Sequence, residues 1–183
     1  MFRRGLNRPL RRGIRADIPP ALQRANRLMA AGQYAAAADI FEQFAHAAQE
    51  RNGPRAPQFF LEAGRARFLA GEVAIGMIHI KQGMTIIANR GNYQRLQKVG
   101  NRFVNELNQR GLTADASDLE AWLKQTIPGS YTPAPVSGPA FAKPRLLPTN
   151  CPGCGGPIHA DEVDWSDAYT AECAYCGTAV RAE

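Results

Sequence analysis

Cysteine is absent from the first 150 residues; the four in the chain, Cys151, Cys154, Cys173 and Cys176, all fall near its end. No run of eighteen apolar residues occurs, which excludes a transmembrane helix of ordinary length. Met1-Phe2-Arg3-Arg4 opens the chain but leads into no continuous apolar stretch of the kind a secretory signal needs. A cytoplasmic location is the resulting expectation. A reducing compartment argues against pairing the cysteines as two disulfides. Catalytic signatures are missing as well: there is no G-x-x-x-x-G-K-[ST], G-x-S-x-G or H-E-x-x-H. The three histidines, His46, His79 and His159, stand in separate elements without metal-ligand spacing. The chain is therefore expected not to be an enzyme.

Charge is missing selectively. Residues 1–15 hold six arginines and no acid, whereas residues 149–183 hold six acids and only Arg181 as a base. The whole chain of 183 residues carries a formal net charge of +6, with 45% hydrophobic and 21% charged residues. That composition is ordinary for a soluble globular protein.

The cysteines are spaced Cys151-x2-Cys154, eighteen residues, then Cys173-x2-Cys176. Two such pairs at this separation read as a tetrahedral metal site, each tight turn offering two thiolates. Gly155 and Gly177 follow the pairs, where a turn wrapping a metal calls for positive φ. Four sulfur ligands suit zinc, with iron in a rubredoxin-like site as the lesser alternative. They leave no open position for a catalytic water. Neither pair opens a helix of a βαβ unit, as a thioredoxin-like redox pair would. His159 reads as an exposed strand residue rather than a spare ligand. Pro157–His159, Val163–Trp165 and Thr178–Val180 are expected strands. So few apolar side chains cannot bury a core alone, and the metal is expected to supply most of the module's stability, about 10–16 kcal/mol. The pattern Cys151-Pro152-x-Cys154-Gly155…Cys173-x2-Cys176-Gly177 resembles the zinc ribbon family, with Ala174 where many ribbons have proline. The resemblance implies structural zinc and a docking surface, with no single function attached. An acidic ribbon is poorly suited to gripping phosphate; it reads as protein-binding or as packing on its own.

Residues 128–148 contain six prolines, so they read as an extended, semi-rigid linker. On that reading the ribbon is tethered with variable orientation and unfolds independently of the rest. The expected domains are a basic, disordered arm at 1–16, a helical domain at 17–127, the linker at 128–148 and the ribbon at 149–183. The fold class is mainly α with a small β module.

Six helices are expected between residues 17 and 127. The first opens at Pro19-Pro20 and ends near Gly32. The second covers about 34–51, with Ala37, Ala38, Phe41, Phe44 and Ala45 on one face. The third has Pro57 in its first turn and ends near Gly71. The fourth reaches about Asn89 and is apolar on several sides, which predicts that it is sandwiched. The fifth covers about 92–110, and the sixth starts at Ala114 or at Ser117, where Ser117-x2-Glu120 forms a capping-box pattern, and stops at Pro128. Ala25-x2-Leu28-x3-Gly32-x-Tyr34-x2-Ala37-x3-Phe41-x2-Phe44 resembles a tetratricopeptide repeat. Gly64, Gly71, Val73, Gly76, Ile80 and Gly83 repeat it loosely 39 residues later, against a family period of 34. The third helix pair shows no such match. The resemblance implies antiparallel hairpins stacked into a scaffold.

Two basic features remain. Arg3, Arg4, Arg8, Arg11, Arg12 and Arg15 stand among Phe2, Leu6, Leu10, Ile14 and Ile18. As a helix this arm would suit an acidic membrane surface or a partner's groove, but Gly5, Pro9 and Gly13 oppose the helix. Arg95, Lys98 and Arg102 line one face of the fifth helix, with Arg90 and Arg110 at its ends, and the acidic Asp161–Asp167 stretch is expected to dock there. The reading is a non-enzymatic zinc-binding adaptor that contacts proteins. The alternative is a nucleic-acid-associated protein that uses the arm and the fifth helix.

Overall fold

The computed structural model describes residues 19–131, 146–160, 163–165 and 169–182. Among them the chain is mainly helical. It comprises α1 (Pro20–Ala30), α2 (Tyr34–Glu50), α3 (Ala56–Leu69), α4 (Val73–Asn89), α5 (Tyr93–Gln109) and α6 (Thr113–Thr126). The arm and its six arginines, and most of the linker, lie outside the described residues.

Four of the five helix-helix turns are built alike. Gly32, Gly71, Gly91 and Gly111 all have φ between 71° and 87°. In each turn the glycine N–H reaches back three residues and the next N–H reaches back five, as in Gly71 N to Phe68 O and Glu72 N to Arg67 O. These are Schellman-type stops, in which the left-handed residue lets the final carbonyls find donors. They explain why the helix ends follow the glycines. The α2–α3 connection is longer and is braced by Arg90, which donates to the carbonyls of Gly53 and Pro54.

α3 and α4 approach most closely. A Cβ on Gly64 would lie 2.7 Å from Gly76 O, and one on Gly83 would lie 2.8 Å from Pro57 O. Position 57 faces 83 while 64 faces 76, so the two helices run antiparallel. The small residues of the second repeat-like segment are thus places of backbone contact. The third hairpin is present too. Gly111 and Ala116 stand 40 residues after Gly71 and Gly76, and Ala116 is buried.

Ile80, Met84 and Ile87 of α4 enter the core, but Ile75 and Ile78 are 46% and 64% exposed. α4 is therefore sandwiched along one stripe and open on another, because no helix among the described residues covers its outer face. The Ser117 capping box is not realised either. α6 starts four residues earlier, after Leu112, and Ser117 lies inside it.

The C-terminal module holds a three-stranded antiparallel sheet in the order β1 (Asp164–Trp165), β2 (Thr170–Glu172), β3 (Ala179–Arg181). Trp165 pairs with Ala171, and Ala171 with Val180. β2 had no sequence signal: of its three residues only Ala171 is buried. The expected first strand is reduced to a single bridge between Asn150 and Pro157.

The module is not loose. Tyr175, Val180 and the four cysteines belong to one buried cluster with Leu22, Ala25, Phe41, Phe59 and Phe60 of the first three helices. The expectation of variable orientation fails because the module's few apolar side chains are gathered on the side that meets α1 and α3. A proline-rich tether sets reach, not affinity.

Candidate metal centre

Two turns with the same backbone hydrogen bonds present the cysteines. Gly155 N donates to Cys151 O and Gly177 N to Cys173 O, at 2.9 and 2.8 Å. Cys151 N donates to Gly156 O and Cys173 N to Thr178 O, at 2.8 and 2.9 Å. Both closing glycines take positive φ, 76° and 73°, so any residue with a Cβ there would be strained. Each turn points two sulfurs at the other turn.

The sulfurs fit a metal. Cys151 Sγ lies 3.6 Å from Cys176 Sγ and Cys154 Sγ lies 3.9 Å from Cys173 Sγ. All four sit within 4.8 Å of one another, and all four are buried. Sulfurs bound about 2.3 Å from a tetrahedral zinc lie about 3.8 Å apart, while a disulfide would need about 2.05 Å. The four are free cysteines. Gathered so tightly, they cannot titrate independently. Hydrogen bonding from Cys154 and Cys173 holds Cys176 well below the usual thiol range, and hydrogen bonding to Cys173 pushes Cys154 up. Thr178 Oγ1 lies 3.1 Å from Cys176 Sγ, placed to donate to a thiolate, and Gly153 N donates to Cys151 Sγ at 3.4 Å. Such donors to metal-bound sulfur orient it and offset its charge. His159 is not part of this cluster.

The helices hold both turns. Asn26 Nδ2 donates to Cys154 O at 2.8 Å and Gln23 Nε2 to Gly153 O at 3.1 Å, so α1 grips the first turn. In the second turn Tyr175, buried to 2% exposure, donates its hydroxyl to Glu62 Oε1 of α3 at 2.6 Å. Arg55, just before α3, lies directly against Gly177, where a Cβ would collide with its guanidinium. Asn26, Glu62 and Tyr175 carried no site signal in the sequence. Each is a buried polar group whose partner lies more than a hundred residues away.

The basic residues of α5 divide. Arg95 leans on α3, donating to Gln58 Oε1 at 3.0 Å. Lys98 is exposed, and Arg102 is half-buried with its guanidinium over Phe103. Arg110 stacks on Phe68, 5.1 Å from the ring centroid. Lys98, Arg102 and Arg110 border a cleft that His159 of the module closes on one side. The described contacts of the module with the helices run mainly through α1 and α3. Asp161, Glu162 and Asp167, which were expected to meet α5, lie outside the described residues. His79 is half-buried, stacked on Phe60 with its Nε2 3.0 Å from Glu42 Oε1.

In comparison with known proteins, no family model, curated protein or solved structure matches this chain. The four buried cysteines can hold a metal ion, and that conclusion stands on their geometry alone. No helix among the described residues is long and apolar enough to cross a membrane.

Proposed function

We propose that the protein is a non-enzymatic adaptor: a TPR-like helical scaffold onto which a structural zinc ribbon is clamped, the two together presenting surfaces to a protein partner. The observation that carries this reading is the closed set of four buried sulfurs seated on α1 and α3. A metal with four protein ligands has no position left for substrate or water, so its work is to hold shape. Zinc suits four thiolates without redox chemistry, and iron is the lesser candidate. The shape it holds leaves large apolar side chains in water. Ile75 and Ile78 are exposed on α4, and Trp165 and Tyr169 on the module. Exposed aromatic and aliphatic side chains of this size are enriched where proteins meet.

Elemental analysis and capture test the reading. One zinc per chain is expected; one iron per chain would replace zinc by iron. The intact protein used as bait should enrich a protein that Ile78→Glu or Trp165→Ala bait loses. Identical capture by wild type and both variants would remove these surfaces from the proposal.

A further inference from the structure

The cleft beside α5 carries a pattern that a scaffold does not need. Lys98, Arg102, Glu106 and Arg110 recur every four residues, and Asn101, Asn105 and Gln109 recur every four alongside them. On a helix these are two parallel rows on one face. Both rows line the same cleft, of about 780 Å³, with Arg65 of α3 and His159 of the module on its other walls. Among the described residues that line it, Glu106 is the only carboxylate, and it is engaged by Arg65 at 3.3 Å and Arg110 at 3.8 Å. Among the described residues the lining thus holds four cations against one paired anion.

We propose that this cleft binds a single-stranded phosphodiester chain, RNA or DNA, with the cation row along its phosphates and the carboxamide row against its bases. Length argues for a polymer. From Lys98 to Arg110 the row runs about 18 Å, at about 1.5 Å per residue, so a lone phosphate would occupy one end and leave the rest idle. Chemistry argues for bases rather than for an acidic peptide. A carboxamide offers both donors and an acceptor, and base edges present both in turn, whereas carboxylates only accept. Among the described residues the lining has no Phe, Tyr or Trp and one ring, that of His159, so stacking there is sparse and sequence preference is expected to be weak. The site goes beyond the adaptor reading and uses residues other than Ile78 and Trp165, so the two can fail separately.

Fluorescence anisotropy with the zinc-loaded full chain tests it. The probes are a labelled twelve-nucleotide RNA of mixed sequence, the DNA of the same sequence, the RNA duplex and polyglutamate. With about three phosphates neutralised, log K should fall against log salt with a slope of about −2 for single strands. Lys98→Ala with Arg102→Gln should weaken binding tenfold or more and flatten that slope by about 1.4. Asn101→Ala with Asn105→Ala should weaken binding several-fold and leave the slope unchanged, a separation that a generally sticky surface would not produce. Asn101→Asp with Asn105→Asp, at exposed positions, should abolish binding without touching the core. Tighter binding of RNA assigns the 2′-hydroxyl a role, and equal binding of RNA and DNA assigns recognition to phosphate and base; either supports the site. Full affinity in all three cleft variants would place binding elsewhere, on the N-terminal arginines, and overturn the proposal. So would duplex binding as tight as single-strand binding, polyglutamate binding that the same substitutions abolish, or no binding at 50 mM salt.

Discussion

Tyr175 sits between two cysteines of the sulfur cluster, yet its hydroxyl is spent on a helix more than a hundred residues away. Glu62, its acceptor, is 3% exposed. Tyr175→Phe keeps the ring's packing and leaves Glu62 short of one buried donor. A loss of about 1–3 kcal/mol is expected, read by urea unfolding of the zinc-loaded protein. A change below about 0.5 kcal/mol would show that water serves Glu62 equally well. A second polar centre joins α2, α3 and α4. Arg67 donates to both carboxylate oxygens of Glu42 at 2.6 and 2.9 Å, and to Asp39 and Glu72. The Arg67 guanidinium holds the Glu42 carboxyl below its ordinary value of 4.5. A depressed carboxylate stabilises the fold above its unfolded pKa, and that contribution is lost as pH falls through the folded pKa. The stability difference between wild type and Glu42→Gln should be full at pH 6, about 1–2 kcal/mol, and shrink steadily below pH 4.5. A difference that is constant from pH 6 to pH 3 would contradict the pairing.

At the scale of elements, the tightest joint is α3 against α4, where glycine backbones touch. Gly→Ala in a helix interior ordinarily gains up to about 1 kcal/mol. Here the sign should reverse. Gly76→Ala places a methyl 2.7 Å from Gly64 O and 2.9 Å from Phe68 N, backbone atoms that cannot swing aside. A net destabilisation of about 2–3 kcal/mol is expected by thermal melting; a neutral result would mean that α3 and α4 can separate without cost. The helices were readable from the sequence because glycine stops and apolar stripes agree at their ends. The sulfur centre was readable because its spacing belongs to few other structures. Other elements escaped for physical reasons. Ser117-x2-Glu120 reads as a helix start, but the same residues are acceptable inside one. The Thr-Ala-Glu of β2 is too short and too polar to show alternation. The seating of the module was invisible because it depends on Asn26, Glu62 and Tyr175, which no local pattern brings together. The two rows of α5 were half seen: the cations were noted, the carboxamides between them were not, and Arg95 proved to be turned toward α3.

For the molecule as a whole, the shared buried cluster makes the sulfur centre and the helices one unit. Removing the metal with a chelator, or Cys154→Ser, should unfold the turns that Gln23, Asn26 and Glu62 grip and uncover the face of α1 and α3. A loss of about 4 kcal/mol from that contact would lower the helical transition by about 10 °C, at about 2–4 °C per kcal/mol for a chain of this size. Circular dichroism at 222 nm with and without chelator checks it. An unmoved helical transition would restore the picture of a freely tethered module.

The clamp between Asn26 and Cys154 spans 128 residues of sequence, and this imposes an order of events on biosynthesis. At about 5–20 residues per second, α1 is made about 6–26 seconds before the turn that covers it. Throughout that interval Leu22, joined by Phe59 and Phe60 once α3 is made, lacks the module that covers it, and loop closure over so long a segment is slow in itself. The first hairpin therefore waits, partly wet, on the module that completes its cover. Ribosomes stalled before codon 150 should hold this surface open to a chaperone or a protease, and ribosomes that have released a zinc-loaded chain should not.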